Sequence, residues 1–178
     1  RYACAAVQPL LRSLSRLLPT TPLNQVEEVQ LVQYLGESQG FGWHTDSLSA
    51  EQATLASGGQ RVATLLVYLD DCESGRTLFR DLVGENGERL AVEPRIGRAL
   101  LFFPAVTGEH ASSTDQESFG EVYFDETRAD HRTSHAGEPP TGDGKLRQKH
   151  IAQLWIHSSK HTPVVFGRGI NKHAEALQ

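Results

Sequence analysis

After one amphipathic segment near its start, the chain is a succession of short strand-like runs cut apart by turn residues, and this pattern leaves few folds open. Val7, Leu10, Leu11, Leu14, Leu17 and Leu18 recur at helical spacing, and Pro19 and Pro22 close the segment, which predicts a helix over about 3–18. Strand-like runs follow at about Val29–Tyr34, Arg61–Leu69, Arg89–Val92, Arg98–Phe103, Glu121–Phe124 and Lys149–His157. Clusters such as Gly84-Glu85-Asn86-Gly87 separate them. Ser49-x-x-Gln52 has the pattern that opens a short helix before Gly58-Gly59. One helix packed on many short strands predicts a mainly β domain with flanking helices, an antiparallel sandwich or barrel of the jelly-roll kind.

With 178 residues, the chain reads as a single domain, 1–178, large enough to bury a core. A net charge of −5 provides no basic footprint, which argues against nucleic acid as a partner. Cys4 and Cys72 are too few for a disulfide scaffold and leave the redox compartment open. No run reaches the roughly 18 apolar residues of a membrane span. The sequence opens on Arg1 rather than methionine and reads as an excerpt, so a targeting segment would be invisible.

The chemistry concentrates at His44-x-Asp46. Side chains two apart on an extended strand end point the same way. A distant histidine, His135, can complete one triangular face around a metal. Two histidines and one carboxylate with the remaining positions open form the ligand set of non-haem Fe(II) oxygenases. By itself H-x-D is a weak signal, since such tripeptides arise by chance.

The surroundings strengthen it. Gln30-Leu31-Val32-Gln33-Tyr34, then nine residues, then His44-Thr45-Asp46, resembles the 2-oxoglutarate- and Fe(II)-dependent dioxygenases of the prolyl 4-hydroxylase type. The resemblance continues through Arg61–Asp71, Ser74–Phe79 and Val92–Phe103, and closes with Ser134-His135-Ala136-Gly137-Glu138-Pro139 and Lys149–His157. These blocks follow the family's order over residues 29–157. The resemblance implies a double-stranded β-helix of the jelly-roll, cupin-like class, a core at about 29–157, and Fe(II) held by His44, Asp46 and His135. The other histidines, His110, His131, His150, His157, His161 and His173, are expected to be exposed or hydrogen-bonded.

The same resemblance implies a lysine for the far carboxylate of 2-oxoglutarate, because a buried unpaired charge is costly. Counting forward from His135 gives Lys145, and counting back from Trp155 gives Lys149. Strand register cannot slip without turning side chains over, whereas a loop absorbs insertions, so Lys149 is preferred and Lys145 kept as the alternative. Tyr34 and Thr77 match positions whose hydroxyls help hold that carboxylate, though a core tyrosine and a strand threonine read equally well. Arg61 matches a residue facing the substrate groove, and Trp155 a tryptophan near the site. Arg61, the loop Ser47–Gln60 and the segment Gly75–Arg80 are expected to line an open cleft.

Three departures concern the substrate. Phe41 stands where a tyrosine is frequent, Arg76 replaces a common glutamate, and Pro104–Thr133 is longer than expected. The implied activity is C–H hydroxylation coupled to decarboxylation of 2-oxoglutarate to succinate, with dioxygen as oxidant and L-ascorbate keeping the iron reduced. The implied substrate is peptidyl proline, and the family suggests the endoplasmic reticulum or secretory pathway. The alternatives are a hydroxylase of a free amino acid or other small molecule, and a non-catalytic jelly-roll binding module. Intact His44, Asp46 and His135 argue against the last, and Asp46 argues against a halogenase, which needs a small residue there.

Overall fold

A computed structural model of the chain describes residues 5–54, 56–108, 123–141 and 148–163. The amphipathic segment forms a 3-10 turn, Ala5–Val7, followed by helix α1, Gln8–Leu17, with Pro9 in its first turn. Proline is tolerated there because those N–H groups have no intrahelical acceptor. Residues 3 and 4 of the expected helix lie outside the described residues.

Two four-stranded antiparallel sheets follow, and they face one another as a double-stranded β-helix. The first runs β1 (Gln30–Leu35), β10 (Gln148–His157), β3 (Arg61–Tyr68), β6 (Ala99–Phe102). The second runs β2 (Phe41–His44), β9 (His135–Gly137), β4 (Thr77–Val83), β5 (Arg89–Val92). A separate ribbon pairs β7 (Ala105–Gly108) with β8 (Tyr123–Ala129). Part of the long Pro104–Thr133 stretch is therefore strand rather than loop.

Strand β10 lies between β1 and β3 and is buried along almost its whole length, although half of its residues are polar. Leu154 and Ile156 point to one face and join Leu11 and Leu14 of α1, Val26 and Leu65 in the main apolar core. Each such side chain contributes about 1.5–3 kcal/mol on burial. The opposite face of β10 carries Lys149, Ile151, Gln153, Trp155 and His157, an alternation set by the two-residue period of a strand. Between the sheets, Ile151 packs with Tyr34, Leu66 and Tyr68. Phe79 and Phe102 meet edge to face at 5.4 Å, and the Tyr68 hydroxyl donates to Thr77 Oγ1 at 2.6 Å, so both contacts join the two sheets.

The segment after β2 departs from the expected helix. Gln52 Oε1 does accept from the Ser49 N–H at 3.2 Å, half of the capping arrangement, and Ala53 N–H bonds Ser49 O at 2.8 Å. The turn then stops. The Ser57 hydroxyl takes Gln52 O at 2.8 Å, and Gly58 and Gly59 adopt positive φ of 122° and 73°. Gln60, buried, accepts from Leu48 N–H at 2.5 Å and donates to Leu48 O at 2.9 Å, which ties this loop to the start of β3.

Candidate metal centre

Register assembles the centre. His44 at the end of β2 and His135 at the start of β9 are direct cross-strand partners, so both imidazoles stand on one face with centroids 4.2 Å apart. Asp46, two residues beyond His44, returns its carboxylate to the same side. Its Oδ1 lies 3.7 Å from His44 Nε2 and its Oδ2 lies 3.9 Å from His135 Nε2. One ion at about 2.0–2.2 Å from each donor can bridge such separations.

The tautomers suit a metal. His44 Nδ1 lies 2.8 Å from Gly42 O, and His135 Nδ1 lies 3.0 Å from Thr133 O. A carbonyl only accepts, so each Nδ1 carries the hydrogen and each Nε2 presents its lone pair to the shared space. Burial, followed by the neighbouring His135, pushes the His44 pKa below its usual value and favours the neutral ligand form. Asp46 and His135 are buried, whereas the His44 side chain is 28% exposed, so one side of the centre is open. Two imidazoles and one carboxylate fit a non-haem iron centre.

On the far side of Gly137 lies Lys149, only 1% exposed. Its ammonium donates to Glu138 O at 2.8 Å and Gly75 O at 3.0 Å and sits 4.1 Å above the Tyr34 ring. Burial pushes its pKa down to about 8. A Cβ on Gly137 would meet Tyr34 Oη at 3.4 Å and Lys149 Nζ at 3.6 Å, and Thr77 pairs directly with Gly137 across β4 and β9. Lys149, Tyr34 and Thr77 thus surround one glycine. Burial raises the Tyr34 pKa to about 12, which keeps its hydroxyl a donor. Lys145 lies outside the described residues.

Arg61 and Trp155 meet at the other end of β10. The guanidinium stacks 3.8 Å from the Trp155 ring and grips Glu27 through Nε–Oε1 at 2.7 Å and Nη2–Oε2 at 3.2 Å. It also reaches the main-chain oxygen of Asp46 at 3.5 Å. Trp155 Nε1 is buried without a partner among the described residues. His157 contributes to the same knot, with Nε2 donating to Glu27 Oε1 at 2.6 Å and Nδ1 facing Gly59 O at 3.1 Å. Burial pushes the Glu27 pKa up, but the bonds from His157 and Arg61 outweigh it and bring it down to about 2. His161 stacks on His157 at 4.6 Å, with its Nδ1 facing Ser57 O at 2.9 Å.

The remaining histidines divide. His150 bonds Asp70 at 2.6 Å, His131 is exposed, and His110 and His173 lie outside the described residues. An open cleft of about 610 Å³ is lined by Thr45, Ser47, Ser49, Gln52, Ala129 and His131. The expected loop lines it, but Arg61 and Gly75–Arg80 do not. Arg61 is drawn into the Glu27 knot, while Arg76 on β4's approach pairs with Glu138 at 2.8 Å. Phe41 sits edge-on to His44 at 4.1 Å.

Sequence reading missed Thr64, Gln153 and Glu27. Thr64 Oγ1 donates to Asp46 Oδ2 at 2.7 Å, and Gln153 Nε2 reaches the same oxygen at 3.4 Å. Gln153 was accessible to sequence reasoning, since it lies an even number of residues from Lys149 on one strand.

Antiparallel double-stranded β-helix and convergent His-Asp-His set together define an iron-oxygenase scaffold. The chain belongs to the 2OG-Fe(II) oxygenase superfamily, whose family model matches residues 29–157. It is 28% identical over 159 residues to the "Putative prolyl 4-hydroxylase" of Acanthamoeba polyphaga mimivirus, covering 86% of this chain and 54% of that protein. Over 98 residues it is 34% identical to Arabidopsis thaliana "Probable prolyl 4-hydroxylase 4", covering 46% of this chain and 32% of the relative. "Probable prolyl 4-hydroxylase 7" of the same plant is 29% identical over 169 residues, covering 88% and 44%. The chain thus spans about half or less of the length of these relatives. Among the described residues, no helix is long and apolar enough to cross a membrane.

Proposed function

We propose that this domain is a 2-oxoglutarate-dependent hydroxylase of proline within peptides, with His44, Asp46 and His135 holding Fe(II). The observation that carries the reading is the convergence of that set beside a buried lysine whose described hydrogen bonds go to carbonyls. When bound, the iron supplies the oxidising chemistry that couples decarboxylation of 2-oxoglutarate to C–H hydroxylation. Lys149 receives the far carboxylate of the cosubstrate, and the Tyr34 and Thr77 hydroxyls orient it. Asp46 and His135 are buried, while the His44 side chain is partly exposed. Ascorbate would be the reductant keeping such an iron ferrous.

An open, polar cleft suits an extended peptide better than a sealed pocket would, and a proline-rich segment loses little entropy on docking. The names of the relatives point the same way. Trp155, whose buried Nε1 is an orphan donor, is assigned to the substrate side, whereas Arg61, drawn into the Glu27 pair, is not. The test is succinate release with purified protein, Fe(II) and 2-oxoglutarate, comparing proline-rich peptides with free proline. Peptide-dependent turnover is expected, and turnover of free proline alone would replace this reading with a small-molecule hydroxylase.

A further inference from the structure

We propose that Thr64 and Gln153 are positioning residues for Asp46, occupying one carboxylate oxygen so that only the other is offered to the metal. The inference rests on the iron reading of the centre and adds how its carboxylate is aimed. Both donors are interior, with Thr64 0% and Gln153 6% exposed, and both come from the adjacent strands β3 and β10. Both reach Oδ2, at 2.7 and 3.4 Å, which also lies 3.9 Å from His135 Nε2, whereas Oδ1 takes neither donor and lies 3.7 Å from His44 Nε2.

The chemistry of the donors matters as much as their placement. A hydroxyl and an amide are neutral, so they orient the carboxylate without cancelling the charge that attracts a cation. A carboxylate with both oxygens free can turn and take two positions at an ion, and a 2-His-1-carboxylate centre needs its remaining positions open for other ligands. Holding Oδ2 prevents that rotation. Partners of metal ligands typically shift metal affinity or activity by about 10–100-fold when removed.

A merely structural role predicts something different. Thr64 would then satisfy a buried polar pair, and its loss would lower the unfolding temperature of the metal-free chain without altering metal affinity. The experiment titrates the metal-free chain with Co(II) alone, following the cobalt absorption bands, and records thermal unfolding alongside. Thr64→Val keeps the shape and deletes the hydroxyl, and should weaken Co(II) binding by about 10–100-fold. Thr64→Ser should restore it to within a few-fold. Gln153→Leu provides the same test with a smaller, several-fold loss, matching its longer bond, and decides the matter if the valine variant does not fold. Wild-type Co(II) affinity in Thr64→Val, or in Gln153→Leu where that variant decides, overturns the proposal while leaving the centre intact. Equal Co(II) binding by the native chain and Asp46→Ala would instead overturn the iron reading itself.

Discussion

Two regions of this molecule gather two histidines and a carboxylate, and they have become different things. His44, Asp46 and His135 form one, and Glu27, His157 and His161 the other, each with its donor atoms within 4.8 Å of one another. In both, every histidine sets Nδ1 against a main-chain carbonyl. The difference lies in the company the carboxylate keeps. Asp46 receives neutral donors on one oxygen, whereas Glu27 receives the Arg61 guanidinium on both oxygens and His157 Nε2 as well. A cation already seated on the carboxylate leaves little for a metal to gain, so the second cluster is an ion-paired brace. Residue type and spacing alone do not make a metal site; the partners of the ligands decide.

The largest contrast should come from removing each carboxylate. Asp46→Ala should abolish succinate production while leaving the chain folded, at a cost of about 1–3 kcal/mol for the stranded Thr64 donor. Glu27→Ala should do the reverse and destabilise the fold by about 3–5 kcal/mol, measured by urea unfolding, since it strands half-buried Arg61 and buried His157 without their counter-ion. The acid limb should show the same brace. Glu27 has a folded pKa near 2, below the ordinary glutamate value of 4.5, so its contribution is complete above about 4.5 and drains away as pH falls toward 2. In Glu27→Gln that part of the acid-unfolding curve should flatten.

Next in size is the cosubstrate lysine. Lys149→Ala should raise the KM for 2-oxoglutarate by the equivalent of about 2–5 kcal/mol, leaving a carboxylate unpaired in the interior. A larger loss in Lys145→Ala would transfer the role to that residue. Since Lys149 has a folded pKa near 8 against 10.5 for the free group, the folded chain gives up this proton first as pH rises. Stability attributable to it should therefore increase between about 8 and 10.5, while the KM for 2-oxoglutarate rises by about tenfold near pH 9 as the ammonium is lost. The smallest effect belongs to Arg76–Glu138, whose Arg76 side chain is 47% exposed. Arg76→Ala should change that KM by no more than a few-fold, in keeping with the modest worth of exposed pairs.

Much of this architecture was legible in advance. The apolar run of β3, the strand-like composition of β1 and β10 and the helically spaced leucines of α1 announced themselves. Strands β2 and β9 did not, because Phe41–His44 carries a glycine and His135–Gly137 is three residues long. Their extended form is imposed by pairing with neighbours rather than by propensity. His44 and Asp46 stood out through spacing and His135 through its Ala-Gly-Glu-Pro sequel, yet nothing local marks Thr64 or Glu27. Both act through contacts between residues 18 to 130 positions apart, which only the register of the sheets creates.

Metal stoichiometry tests the contrast between the two clusters most directly. Co(II) titrated into the metal-free chain should saturate at about one ion per chain, disappear as a site in Asp46→Ala and persist unchanged in His161→Ala. A second equivalent that vanishes in His161→Ala, or a full equivalent retained in Asp46→Ala, would contradict the account.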